Sequence, residues 1–207
     1  MRGFLEKFDP HVVASQWKGI EDGQIIPIKS GFEIEAVRNE HIKVAAGIHK
    51  SLSYKLYTTK KKLKEEFIGL SPDDIKKVIQ SHGKEHITYT QRDNIISFSG
   101  DTPVDDYSKW DNSEILIHEA TFLRTEMSLP EDKRYDKHST ITEVLTMVKE
   151  INIGNLILNH FSTRYSREDI DNSVRKLIKD LGIKIPVYLI YPGEIKRNIL
   201  ATAPINA

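Results

Sequence analysis

The sequence predicts an α/β protein, and three observations carry that expectation. From residue 95 onward, IISFSG, EILIHEA, GNLILNHF and PVYLIY are near-continuous apolar runs of strand length, as expected for strands covered on both faces. Between them, ITEVLTMVKEI and REDIDNSVRKLIKDLG carry apolar residues at helical spacing. The two patterns alternate, which makes an α/β layer rather than separate blocks of strand and helix.

The elements follow in order. QIIPI, FEIEAV and SYKLYT are short β-branched or alternating runs separated by Gly, Ser, Asn and Lys, the pattern of hairpin-forming strands. SPDDIKKVIQSHG predicts one short helix: Ser71 caps it, Pro72 fits its first turn, the acidic pair Asp73 and Asp74 suits its positive end, and Gly83 stops it. Ser139 or Thr140 is the expected N-cap of the first amphipathic helix and Ser166 that of the second, which Gly182 terminates. YDKHST is a polar loop, and YPGEIKRNI is expected to form a closing hairpin or edge strand. The charge run KLYTTKKKLKEE is expected to be a solvated face, with Lys60, Lys61 and Lys62 as weak candidates for holding RNA.

Composition narrows the function. With 207 residues, 39% apolar and 29% charged, one domain over residues 1–207 is the default. Thirty basic and thirty acidic residues give a formal charge of zero, so no global basic field marks nucleic acid as a partner, and any RNA binding rests on a local patch. The absence of cysteine removes disulfides and thiol nucleophiles and leaves only nitrogen and oxygen ligands for a metal. MRGFLEKFDP has charges among its apolar residues, so neither a signal peptide nor a membrane span is expected, and the protein reads as cytoplasmic.

Four polar stretches, SGDT (99–102), HEAT (118–121), HST (138–140) and HFSTRY (160–165), follow or closely approach the carboxyl ends of predicted strands, where open α/β sheets bind ligands. Asp101, after Gly100, has a carboxylate able to bridge two cations, or equally to close an Asx turn. His160 is a metal ligand or a core histidine, and His49 in AAGIHKSLSYKLYT is a weaker candidate of the same kind. His118 and Glu119 could orient a ligand from behind or simply finish a strand. His138 could give a proton to a leaving group, its ordinary pKa being near neutrality. Arg164 offers a planar donor fork suited to phosphate, with Ser162 and Thr163 adding hydroxyls, while Tyr165 could stack on a base or pack. His11, His41, His82 and His86 read as structural or solvated.

Taken together and in this order, SGDT, LIHEATF, HST and LILNHFSTRY resemble the C-terminal half of ribonuclease Z, the tRNA 3′-processing endonuclease of the metallo-β-lactamase superfamily. GFEIEAV followed by GIHKSLSYKLYT, and VYLIYPGEIKRNI, extend the likeness over nearly the whole chain, with Pro192-Gly193 where the family has DG. The resemblance implies an αββα sandwich and a two-zinc centre, with His49 and Asp101 on one ion, Asp101 and His160 on the other, and Asp101 bridging. It further implies His138 as proton donor to the leaving ribose oxygen, Glu119 as its supporting acid, Ser162 and Arg164 as phosphate contacts, and precursor tRNA as substrate.

The departure from the family is equally specific. Its principal metal motif, HxHxDH, is not in this chain, which leaves each zinc with two ligands against the roughly three or four such a site needs. The chain is therefore expected to be the C-terminal portion of the sandwich, carrying one sheet and its helices, inactive alone, and to expose an apolar sheet face that calls for a homodimer partner or a missing N-terminal half. The flexible tRNA-clamping arm of the family is not visible, and TTKKKLKEEFIGLSPDD stands in its place. Two other readings stay open: a non-catalytic remnant that binds a partner across that face, and a hydrolase of another ester on the same scaffold.

Overall fold

A computed structural model describes residues 18–29, 31–42, 51–123 and 137–207. His49 and the segment GIHKS up to Lys50 lie outside the described residues, as does MRGFLEKF. Seven strands form one mixed sheet whose spatial order is the order of the sequence: β1 (Ile25–Lys29), β2 (Phe32–Arg38), β3 (Leu52–Leu63), β4 (Thr88–Phe98), β5 (Ser113–Glu119), β6 (Ile153–Asn159) and β7 (Val187–Leu189). The first four pair antiparallel, and β4 to β7 pair parallel. The α/β class expected from the alternating patterns is what the chain adopts.

The parallel half needs crossovers, and the two amphipathic segments supply them. Helix α3 (Ile141–Glu150) joins β5 to β6, and α4 (Arg167–Leu181) joins β6 to β7. Because these strands are added in one direction and such crossovers share one hand, both helices fall on the same face of the sheet. They pack on each other and on the strands, with Val144, Leu145, Ile170 and Val174 closing over Leu116, Leu156, Leu158 and Val187. Thr140 rather than Ser139 caps α3, exchanging hydrogen bonds with Glu143 in a capping box. Ser166 and Asp169 do the same for α4, which ends at Gly182 in the left-handed conformation.

Between β3 and β4 the chain runs through helix α1 (Pro72–His82), capped by Ser71 as expected, and the short α2 (Lys84–Ile87). Strands β3 and β4 are longer than their apolar cores. The charge run is part of β3, where Lys60, Lys61 and Lys62 pair with Gln91, Thr90 and Tyr89, and all three lysines are exposed. A pattern of solvated side chains therefore coexists with a backbone paired to β4. The closing segment departs from the expected hairpin or edge strand. β7 ends at Leu189; Pro192 has no N–H to give a ladder, Gly193 sits at φ +77°, and the Glu194 N–H closes a turn on the Tyr191 carbonyl. A 3₁₀ turn at Ile199–Ala201 follows.

The face opposite the helices is apolar and incompletely covered. Register places Ile34, Leu56, Ile96 and Ile115 side by side across four strands, with Tyr54, Phe98 and Ile117 as the next row. Tyr54 and Phe98 are 36% and 39% exposed. A hollow of about 530 Å³ on this face is lined by Ile96, Ile115, Ile117, Ile157 and the 3₁₀ turn. The described residues thus make one sheet with helices on one side, half of the four layers of the expected sandwich. Among them no helix is long and apolar enough to cross a membrane.

Candidate functional site

Strand direction decides which loops meet. β2 is antiparallel to β3, and β3 to β4, so β2 points the same way as β4, β5 and β6. The loops after these four strands therefore gather at one edge, the carboxyl edge of the parallel half.

Each loop delivers a side chain. After β4, Gly100 takes φ +59°, with Asn39 Nδ2 only 3.5 Å from where a Cβ would stand, and Asp101 follows it, partly exposed. Buried Asn39, just past β2, donates to the Ser99 carbonyl at 3.2 Å and ties the first loop to the second. Glu119 ends β5 with only 1% of its surface exposed. His138 lies just before α3, in a loop pinned where Ser139 Oγ donates to the Thr102 carbonyl at 2.7 Å. His160 follows β6 in the left-handed region at φ +57°, a conformation that turns it out of the strand.

Glu119 is the hub. One carboxylate oxygen accepts from the Thr102 N–H at 2.8 Å and from His138 Nδ1 at 2.8 Å. The other accepts from the Thr121 N–H at 3.2 Å and from the Thr121 hydroxyl at 2.5 Å. Four donors meet four acceptor sites, so the lone pairs of the buried carboxylate are all satisfied. This hydrogen bond is the main reason the His138 pKa is raised above its ordinary value. Partial burial opposes the shift, and the charges of Glu119 and Asp101 reinforce it.

The same network sets the imidazoles. His138 Nδ1 donates to Glu119, leaving its Nε2 unbonded by that contact. His160 Nδ1 lies 2.8 Å from the Thr121 hydroxyl, and its Nε2 is 3.6 Å from Asp101 Oδ2. His41 Nδ1 faces the Lys137 carbonyl at 3.1 Å, which accepts only, so its Nε2 is the atom with a lone pair. The rings of His41 and His138 meet edge-on at 4.8 Å, and those of His138 and His160 stack at 5.3 Å.

His41, Asp101 and His138 each offer a ligand atom within 4.8 Å of the others, as do Glu119, His138 and His160. The Glu119 oxygens are already occupied by four donors, so the first group is the better cation site. Imidazoles backed at Nδ1 by oxygen acceptors, together with an unshielded carboxylate, are a donor set that fits a divalent cation.

Asp101, Glu119, His138 and His160 are thus brought together at one rim. Ser162 and Arg164 adjoin them: the Ser162 N–H donates to the Thr121 carbonyl at 3.0 Å, Arg164 Nε donates to Ser162 Oγ at 3.1 Å, and the guanidinium lies 5.5 Å over the Phe122 ring. Tyr165 packs against the helix-side core. His118 is not part of the site. It points to the other face of β5, fully buried edge-on to Trp110 at 5.7 Å, and burial lowers its pKa. Two participants were not foreseen. His41 reads from sequence as structural or solvated, yet it stands at the rim. Thr121 belongs to HEAT but had no expected role of its own.

No family model matches the chain. Among curated proteins, it is 30% identical over 176 residues to tRNase Z TRZ1 of Arabidopsis thaliana, covering 83% of this chain and 60% of that protein. It is 31% identical over 170 residues to the chloroplastic tRNase Z TRZ2 of the same plant, covering 78% and 47%. Alignment to solved structures is looser. The metallo-β-lactamase fold protein YhfI of Bacillus subtilis aligns over 86% of this chain and 54% of its own at 16% identity, with a TM-score of 0.47. A long form RNase Z from yeast aligns over 66% and 14% at 27% identity, with a TM-score of 0.34. By sequence the chain is a relative of tRNase Z/ribonuclease Z, spanning about half of the length of the curated relatives it matches.

Proposed function

We propose that this chain is the part of a ribonuclease Z-like, metal-dependent phosphodiesterase that carries the proton donor and a share of the cation ligands, acting on the 3′ end of precursor tRNA. The observation that carries the reading is the gathering of His41, Asp101, His138 and His160 at one strand edge above the buried Glu119. We assign to the cation His41 and Asp101, two of the three residues of the first group, together with His160, whose Nε2 is 3.6 Å from Asp101 Oδ2, and keep the third, His138, as the proton donor; His49, the ligand implied by the resemblance, lies outside the described residues and stays a candidate beside them. Zinc is the expected ion for nitrogen and oxygen donors. When bound, a divalent cation supplies Lewis acidity toward a phosphoryl oxygen and a nucleophile at neutral pH.

The remaining work belongs to side chains. His138, made more basic by Glu119, holds a proton at Nε2 and delivers it to the leaving ribose oxygen. Ser162 and Arg164 hold the phosphate, the guanidinium resting on Phe122 beside the His138 ring. The apolar face of β1 to β6 is where a second layer docks, either the rest of a metallo-β-lactamase-type sandwich or a second copy of the chain, and residues 1–207 are one portion of that domain. The lack of cysteine suits a reducing compartment, and we place the protein in the cytoplasm.

The test is cleavage of a precursor tRNA carrying a 3′ trailer, with bis(p-nitrophenyl) phosphate as a general diester control. The chain alone is expected to leave the tRNA intact, and the chain mixed with a segment bearing HxHxDH to remove the trailer. Cleavage of the small diester without tRNA processing would replace this reading with a hydrolase of another ester, and failure of both in the reconstituted protein would sink it.

A further inference from the structure

The Thr121 hydroxyl has one hydrogen and two neighbours that compete for it. It lies 2.5 Å from Glu119 Oε2 and 2.8 Å from His160 Nδ1, and 3.4 Å from His138 Nδ1, which is closer to Glu119. A carboxylate oxygen has no hydrogen to give, so the hydroxyl donates to Glu119. It then faces His160 as an acceptor, and Nδ1 must be the protonated nitrogen of that ring. The Nε2 lone pair is left on the side of Asp101.

We propose that Thr121 is a positioning residue through which the single carboxylate of Glu119 sets the tautomer of two histidines at once: His138 by direct contact and His160 by relay through the hydroxyl. The inference rests on the cation site proposed above for its purpose, although its geometry stands apart from it. A ring with two accessible nitrogens has no reason of its own to present Nε2, and the hydrogen bond at the other nitrogen decides. Thr121 suits the task because its own N–H also donates to Glu119, which holds the residue still, and because it is buried at 8% exposure, where water cannot substitute for the hydroxyl. His160, in a left-handed conformation and exposed, stacks on the His138 ring, a contact that does not distinguish its two nitrogens. The chain thus spends one buried acid on two rings of different use, one that gives a proton and one that gives a lone pair.

The experiment is long-range ¹H–¹⁵N NMR of the histidine rings in the full 207-residue chain without metal, followed by titration with Zn²⁺ alone. The unaltered chain and Thr121→Ser are expected to show His160 protonated at Nδ1. Thr121→Val, of the same shape without the hydroxyl, is expected to move that proton toward Nε2 and to weaken Zn²⁺ binding by about ten- to a hundredfold. An Nε2-protonated His160 in the unaltered chain overturns the proposal even if the valine variant fails to fold. So does a valine variant that keeps the Nδ1 tautomer, or a serine variant that behaves like valine. Should the tautomer change as expected while no chain binds Zn²⁺, the relay stands and the cation site of the preceding section falls.

Discussion

His138 Nδ1 lies 2.8 Å from Oε1 of Glu119, a partly buried ring held by a carboxylate that is itself 1% exposed. Replacing Glu119 with Gln keeps the shape and removes the charge, so His138 is expected to titrate at lower pH in the variant than in the unaltered chain, by NMR of the ring. The folded pKa of His138 is raised above its unfolded value. Its contribution to stability is therefore fully present below the unfolded pKa, near 6.5, and is lost as pH rises through the folded value. Urea unfolding on either side of that window should show the loss in the unaltered chain and little of it in Glu119→Gln.

His118 shifts the other way. Burial depresses its folded pKa below the unfolded value, so below about pH 6.5 the unfolded chain takes up the proton first and stability falls as pH falls. His118→Asn keeps a donor in reach of the Glu119 carbonyl, which the ring reaches at 2.7 Å, and cannot titrate. The variant is expected to lose stability more gently between pH 6.5 and acid conditions than the unaltered chain. An equal slope would mean that His118 is not buried as described.

The capping box of α3 begins at Thr140, two residues after His138. Thr140→Ala is expected to cost about 1 kcal/mol of unfolding free energy. Leu158→Ala, in the packed layer beneath both helices, is expected to cost about 2–5 kcal/mol. Denaturant midpoints check both, and a cost for the core change no larger than that for the cap would contradict the packing described.

On the opposite face, Phe98 is 39% exposed within a continuous apolar surface. Phe98→Lys is expected to change stability by no more than about 0.5 kcal/mol while lowering self-association and the binding of a hydrophobic dye. Sedimentation and dye fluorescence measure these. A variant that associates as strongly as the unaltered chain would place the docking surface elsewhere.

Much of this was legible in the sequence because local signals and tertiary fate agree in the C-terminal half. The apolar runs that became β5 and β6, the caps Ser71 and Ser166, and the stop at Gly182 each have a local physical cause. Strand β4 was seen only in part, since TYTQRDN is polar and gains its order from pairing with β3. Asp101 and His160 could be placed because each follows an apolar run. His41 carried the same signal, three residues past FEIEAVR, but its relevance depends on β2 pointing the same way as β4, a fact of sheet topology rather than spacing. Thr121 was invisible for a different reason: its role consists in which neighbour receives its one hydrogen, and no residue pattern encodes that.

Asp101 and the histidines around it are proposed to form a cation site from residues of this chain. Zn²⁺ titration by calorimetry, comparing the unaltered chain with Asp101→Ala, tests it most directly. Measurable binding that weakens by at least about tenfold in the variant is the predicted result. No binding by the unaltered chain, or equal binding by both, would contradict the account.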